Sequence, residues 1–195
     1  MTRVVTGLRE RKRGRVAVDL DGRPWRVLPT NAVVRAGLAV GSPLDRPRAR
    51  ELARELRRAK ALAAATRSLA ASDRSARALE QRLARAGHSA AAREDAIASL
   101  ARAGAIDDTR LAESRAELLA RRGYGDAAIR ADLAGRLIAP EAAAGAVAAL
   151  EPELERLRRV VEGESVTPAL LRRLSARGFA RDALDEIASS FAFEG

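Results

Sequence analysis

A leucine pair four residues apart, closed by a glycine four residues further on, occurs at Leu79, Leu83 and Gly87 and again at Leu170, Leu174 and Gly178, with Ile129 and Leu133 between the copies. That spacing puts each pair on one face of a helix, and the glycine stands where a left-handed residue would end it. The match extends to Leu83-Ala84-Arg85-Ala86-Gly87 against Leu174-Ser175-Ala176-Arg177-Gly178. After each glycine a short helix follows, carrying Ile97 and Leu100 in one copy and Leu184 and Ile187 in the other. The repeating unit is a longer helix and then two shorter ones, about 45 to 50 residues in all. One such unit buries too little apolar surface to stand alone, so the copies must stack.

Composition agrees with thin seams between helices. Alanine supplies 45 of the 195 residues, Leu, Ile, Val and Phe together 44, and the aromatic set is one Trp, one Tyr and three Phe. Caps punctuate the helical part: Ser75, Asp107, Asp126 and Thr167 each head a run of helix formers, with Pro168 in a first turn, and Gly87, Gly104, Gly123 and Gly178 close helices. In the first long helix, Leu52, Leu56, Ala59 and Ala63 share one face.

Residues 1–45 read differently. Val16, Val18 and Leu20 alternate with Ala17 and Asp19, Asp21-Gly22 supplies a turn, and Trp25, Val27 and Leu28 follow, which together spell a β-hairpin with Pro24 opening an edge strand. Thr30 or Asn31 could cap a short helix through Arg35 that stops at Gly37, and Gly41-Ser42-Pro43 makes a linker. The expected fold is therefore mainly α: tandem three-helix repeats in an elongated curved array behind a small N-terminal β-hairpin region. The expected divisions are a basic N-terminal region at 1–45 and helical repeats at 46–104, 105–150 and 151–195.

The formal net charge of +10 is unevenly placed. Residues 1–60 hold 16 basic and 6 acidic residues, whereas 61–195 hold 20 of each. Such a balance points first to a polyanion partner. With no Cys, disulfides and thiolate chemistry are excluded. No apolar run resembles a signal peptide or approaches the ~18 residues of a membrane span, so a cytoplasmic protein with no membrane contact is expected.

Catalytic constellations are missing. His88, the one histidine, follows a helix-ending glycine with neither acid nor serine partners in view, and one His without Cys makes a zinc site improbable. Lys12 and Lys60 are the only lysines and neither precedes Ser or Thr, which excludes a P-loop. Gly123-Tyr124-Gly125-Asp126-Ala127-Ala128 formally fits a dinucleotide pattern, but Leu111 to Arg122 before it reads as helix where the mechanism needs a strand. Asp107-Asp108 suits capping better than metal binding, because adjacent positions do not converge on one ligand. No cofactor, metal or catalytic residue is expected.

Thirty-four of the 36 basic residues are arginine, which favours bidentate contact with phosphate or carboxylate, although a GC-rich genome would push the same way. Three clusters stand out. Arg9, Arg11, Lys12, Arg13 and Arg15 have only Glu10 as counter-charge, and phosphate contact is the reading they favour. The helix from Arg46 to Lys60 interleaves its cations with Glu51 and Glu55 and reads equally as a solvated face. Arg121-Arg122 stand beside Tyr124, which could stack on a partner or pack between repeats.

The central run resembles a known family. Gly104-Ala105-Ile106-Asp107-Asp108, Arg110-Leu111-Ala112, Arg121-Arg122-Gly123-Tyr124-Gly125 and Ile129-Arg130 up to Leu133 are similar to the central repeat of the bacterial RecX regulatory proteins. Arg74-Ser75 with Leu79, Leu83 and Gly87 resembles that family's first repeat, and the third repeat and hairpin-like N-terminus fit as well. Three positions depart from the pattern: Ala78 stands where an acid would complete a capping box with Ser75, Leu137 where glycine is usual, and Leu119 where a basic residue is frequent. The resemblance implies a non-enzymatic modulator that binds along the RecA–DNA filament and inhibits strand exchange, ATP hydrolysis and LexA coprotease activity, and a monomer is expected. By motif position it assigns contact roles to Arg74, Arg121, Arg122 and Arg130, assisted by Tyr124. Single- or double-stranded DNA would be a weaker, accessory partner. The alternative is an arginine-rich DNA-binding protein acting alone.

Overall fold

The structure, a computed structural model, describes residues 2–192. Ten helices and four strands are found among them, so the chain is mainly α with a small N-terminal sheet. Contacts divide it into two compact units, Met1–Ser72 with Leu79–Ala105, and Asp73–Ala78 with Ile106–Gly195.

In the first unit, β1 (Arg3–Arg11), β2 (Arg15–Leu20) and β3 (Arg23–Pro29) form an antiparallel meander, and β4 (Pro43–Leu44) pairs with the outer edge of β1. The β2–β3 hairpin turns at Asp21-Gly22, both with positive φ, and Pro24 lies on the edge strand β3. The hairpin is thus part of a larger sheet. Strand β1 escapes a reading by hydrophobic alternation because its second half is Arg9-Glu10-Arg11 and a bulge at Thr6 breaks its period.

One sheet face carries Val5, Val16, Val18 and Leu20, which pack with Leu28, Val33, Leu38 and Leu52. Helix α1 (Thr30–Arg35) stops at Gly37 as expected, but its N-cap is Pro29, and neither Thr30 nor Asn31 serves. Helix α2 (Arg46–Ala71) is capped by Asp45, which accepts from the Arg48 N–H at 2.9 Å. Helices α3 (Ala76–Arg85), from Leu79 onward, and α4 (Ala90–Arg102) follow. Leu52 is buried as expected, but further along α2 the buried positions are Glu55, Ala61, Ala65 and Ser68, while Ala63 is exposed. So many alanines leave the face of a helix ambiguous in sequence. Contact with α4, which buries its own Ala92 and Ala96, settles it.

The second unit contains two helix trios. Helices α5 (Asp108–Arg121), α6 (Asp126–Gly135) and α7 (Pro140–Ala148) enclose a core of Ala112, Ala116, Leu119, Ile129, Leu133 and Val147. Helices α8 (Glu153–Val161), α9 (Pro168–Ala176) and α10 (Arg181–Ala192) enclose Leu157, Val161, Leu170, Leu174, Phe179 and Ile187. Asp107 and Thr167 cap α5 and α9 as read. At α6 the cap is Gly125, and Asp126 is already inside the helix. Gly87, Gly104, Gly123 and Gly178 all have positive φ. Leu137 takes the same left-handed conformation at φ 58°, so the missing glycine is replaced by strain, while Pro140 starts α7 and plays no part in ending α6.

Candidate functional site

The Arg121–Gly125 run lies where α5 ends and α6 begins, and its glycines have a packing reason. Any Cβ on Gly125 would stand 2.3 Å from the backbone of Gly178 and Phe179. This close approach lets the Gly125 N–H donate to the Arg177 carbonyl at 3.0 Å and the Ala127 N–H to the Gly178 carbonyl at 3.1 Å. The α5–α6 turn therefore sits directly on the α9–α10 turn.

Two residues of α8 fasten this contact. Arg156, only 6% exposed, donates to the carbonyls of Glu151 (3.0 Å) and Tyr124 (3.1 Å) and to the Asp126 carboxylate. Glu153 accepts from the Asp126 N–H at 2.5 Å through one carboxylate oxygen and from the Ala180 N–H at 3.2 Å through the other. A single carboxylate thus holds the starts of two helices, where unpaired N–H groups and the helix dipole favour negative charge.

The same plan recurs at the segment before α3. Ser75, 1% exposed, donates from Oγ to the Arg136 carbonyl at 2.7 Å and accepts from the Ala78 N–H at 3.2 Å. The Ala76 N–H donates to the Asp108 carboxylate at 2.9 Å. In both places a cap residue meets the carbonyl ending a helix, α6 or α9, and a first-turn acid of α5 or α8 receives the N–H beside that cap. Asp107 and Asp108 are thus both caps, Asp108 for a different helix from its own.

The outward side chains are what remains for a partner. Arg121 is 71% exposed and lies 3.8 Å from Glu117, whereas Arg130 pairs with Asp126 at 3.3 Å. Arg122 is exposed, and Tyr124 is 38% exposed beside it, its backbone carbonyl held by Arg156. Next to α5 lies a groove of about 420 Å³ floored by Ala120, Leu150 and Val160 and rimmed by Arg121, Arg159, Glu117 and Glu151. The guanidinium of Arg177 reaches the Gly123 position. Arg74 belongs to the other joint: it is half-buried next to Ser75, with its Nε unbonded. The structure thus gathers Arg121, Arg122 and Tyr124, with Arg130 one helical turn into α6.

Arg156, Glu153, Arg177 and Arg159 were not legible beforehand, because what makes them matter is contact across about 27 residues or more. Nearby, the Asp132 carboxylate accepts from Nε and one Nη of Arg115 and from Nε of Arg136, each at 2.8 Å, and these hydrogen bonds, Arg115 foremost, hold its carboxyl down at about 2.

The basic residues of the sheet divide into two groups. Arg9 pairs with Asp19 at 2.9 Å and Arg15 donates to the Val27 carbonyl at 2.8 Å, so both are tied to the sheet. Arg11, Lys12 and Arg13 are exposed at the end of β1 and in the β1–β2 turn. Among the described residues no group of His, Cys, Asp and Glu is arranged to hold a metal ion, and no helix is long and apolar enough to cross a membrane.

An N-terminal sheet followed by helix trios with exposed arginines and joints of this kind describes a helical-repeat scaffold. No family model matches the sequence, and no curated protein matches it either. Among solved structures, the crystal structure of a regulatory protein RecX superposes with a TM-score of 0.80 at 19% identity, covering 96% of this chain and 99% of that one. RecX from Lactobacillus salivarius gives 0.60 at 19% identity, over 70% of this chain and 97% of that one. The chain has the RecX fold.

Proposed function

We propose that this chain is a RecX-family regulator that binds the RecA–DNA filament and inhibits RecA recombinase, ATPase and coprotease activities in DNA repair and the SOS response. The observation that carries this reading is the match of fold along almost the whole chain, supported by the resemblance of the Arg121–Gly125 run to the family's central repeat. Arg121, Arg122, Arg130 and Tyr124 offer charge and one aromatic ring to acidic protein faces, and Arg74 contributes from the other joint. Arg11, Lys12 and Arg13, with Arg9 and Arg15 behind them, are an accessory phosphate contact. The protein acts in the cytoplasm as a monomer, without catalysis or cofactor.

The test is a titration of RecA ATPase on single-stranded DNA. Substoichiometric protein lowers the rate, and Arg121→Ala with Arg122→Ala shifts the midpoint to higher concentration by about tenfold, the scale of one lost charge-assisted contact. No inhibition at molar excess removes the proposal.

A further inference from the structure

We infer that the exposed face of α2 is a track for the phosphate backbone of single-stranded nucleic acid. Arg46, Arg50, Arg54, Arg57 and Lys60 recur at intervals of four, four, three and three residues, are all exposed, and fall within about 120° of the helix circumference. At 1.5 Å per residue they form a row about 21 Å long. Arg54 is engaged by Glu51 at 2.5 Å, while among the described residues no ion pair reaches Arg46, Arg50, Arg57 or Lys60.

The placement of this charge runs against the helix's own stability. Helix α2 has no acid in its first turn and no base in its last, and Arg46, Arg48 and Arg50 crowd the end where the dipole is positive. Two other helices follow the opposite rule: α5 begins with Asp108 and ends with Arg121, and α8 begins with Glu153 and Glu155 and ends with Arg158 and Arg159. At the start of α2 only the Asp45 cap answers this row of cations, which leaves the row to a ligand of opposite charge.

Arginine fits phosphate with two donors at once. A single row matches one backbone, whereas a duplex presents two strands. A membrane is disfavoured because an interfacial helix needs large apolar residues beside its cations. Here Leu52 is buried and Leu56 packs on the sheet core. The inference adds to the proposed function a nucleic-acid contact that does not need RecA.

The test uses the full chain and a fluorescent oligothymidylate of about 30 nucleotides, with anisotropy read between about 50 and 300 mM salt and no RecA present. Arg46→Gln, Arg50→Gln and Arg57→Gln are combined in one variant. Binding weakens by about tenfold or more at the lowest salt, and the slope of log affinity against log salt falls in magnitude by about 2, since each single-strand phosphate contact contributes about 0.7. The variant melts at the same temperature as the parent or higher, because unfavourable cations have left the helix start. Removing Arg172, Arg173 and Arg181 instead leaves the slope unchanged. Unchanged affinity and slope in the α2 variant overturn the inference, as does tighter binding by the parent to a duplex of equal length or to phosphatidylserine vesicles. If the oligonucleotide results hold while the parent leaves RecA ATPase untouched, the regulatory proposal fails and this one stands.

Discussion

At Leu137 the chain keeps a Cβ where other helix ends, among them those at Gly87, Gly104, Gly123 and Gly178, use glycine. The residue sits at φ 58° and is half-buried, and the Ile138 N–H still reaches back to the Leu133 carbonyl at 3.2 Å, so the helix end has the usual form despite the wrong residue. A left-handed L-residue costs about 1–2 kcal/mol. In an ordinary helical site alanine is more stable than glycine by about 1 kcal/mol. The order inverts here: Leu137→Ala loses side-chain packing and keeps the strain, whereas Leu137→Gly loses the packing and relieves it. Urea denaturation should place Leu137→Gly above Leu137→Ala by about 1 kcal/mol. The ordinary order would mean that the turn is not strained.

Among the elements, helices with strong end signals were legible, and what failed was anything decided by a distant partner. Asp107 and Thr167 announce α5 and α9 because a cap acts within three residues. Gly125 displaces Asp126 as the cap of α6 because its backbone is recruited by Arg177, more than fifty residues away. Strand β1 was hidden by its charges, and the buried face of α2 by its alanines. The Arg121–Gly125 motif was legible as a motif, but its glycines were not legible as a joint. That joint gives the second prediction. Gly125→Ala drives a methyl group into the backbone of α9–α10, where no flexible side chain can yield, and should cost about 3 kcal/mol, at the upper end for overpacking. Gly135→Ala, a site with open space around the would-be Cβ, should be neutral or mildly stabilising in the same denaturation series. Equal effects at the two glycines would mean that the turns do not meet.

For the whole molecule, the location of charge separates two kinds of attraction. The entire excess lies in residues 1–60, on the sheet and the start of α2, and residues 61–195 balance at 20 basic and 20 acidic. Deleting the N-terminal region would not separate these roles cleanly, because Leu52 of α2 belongs to the core that the sheet builds. Salt does so without touching the fold. Counterion release makes nucleic-acid binding fall steeply with salt, by about 0.7 log units per contact for each tenfold rise. Contacts by a neutral surface with an apolar-floored groove and scattered, partly paired arginines are weakened far less. Between about 50 and 300 mM salt, binding of the free oligonucleotide should thus drop by about tenfold or more for two contacts or more, while the midpoint for RecA ATPase inhibition, normalised to RecA alone, moves by only about threefold. Two midpoints moving together would place the regulatory contact on the basic N-terminal part and not on the helix trios.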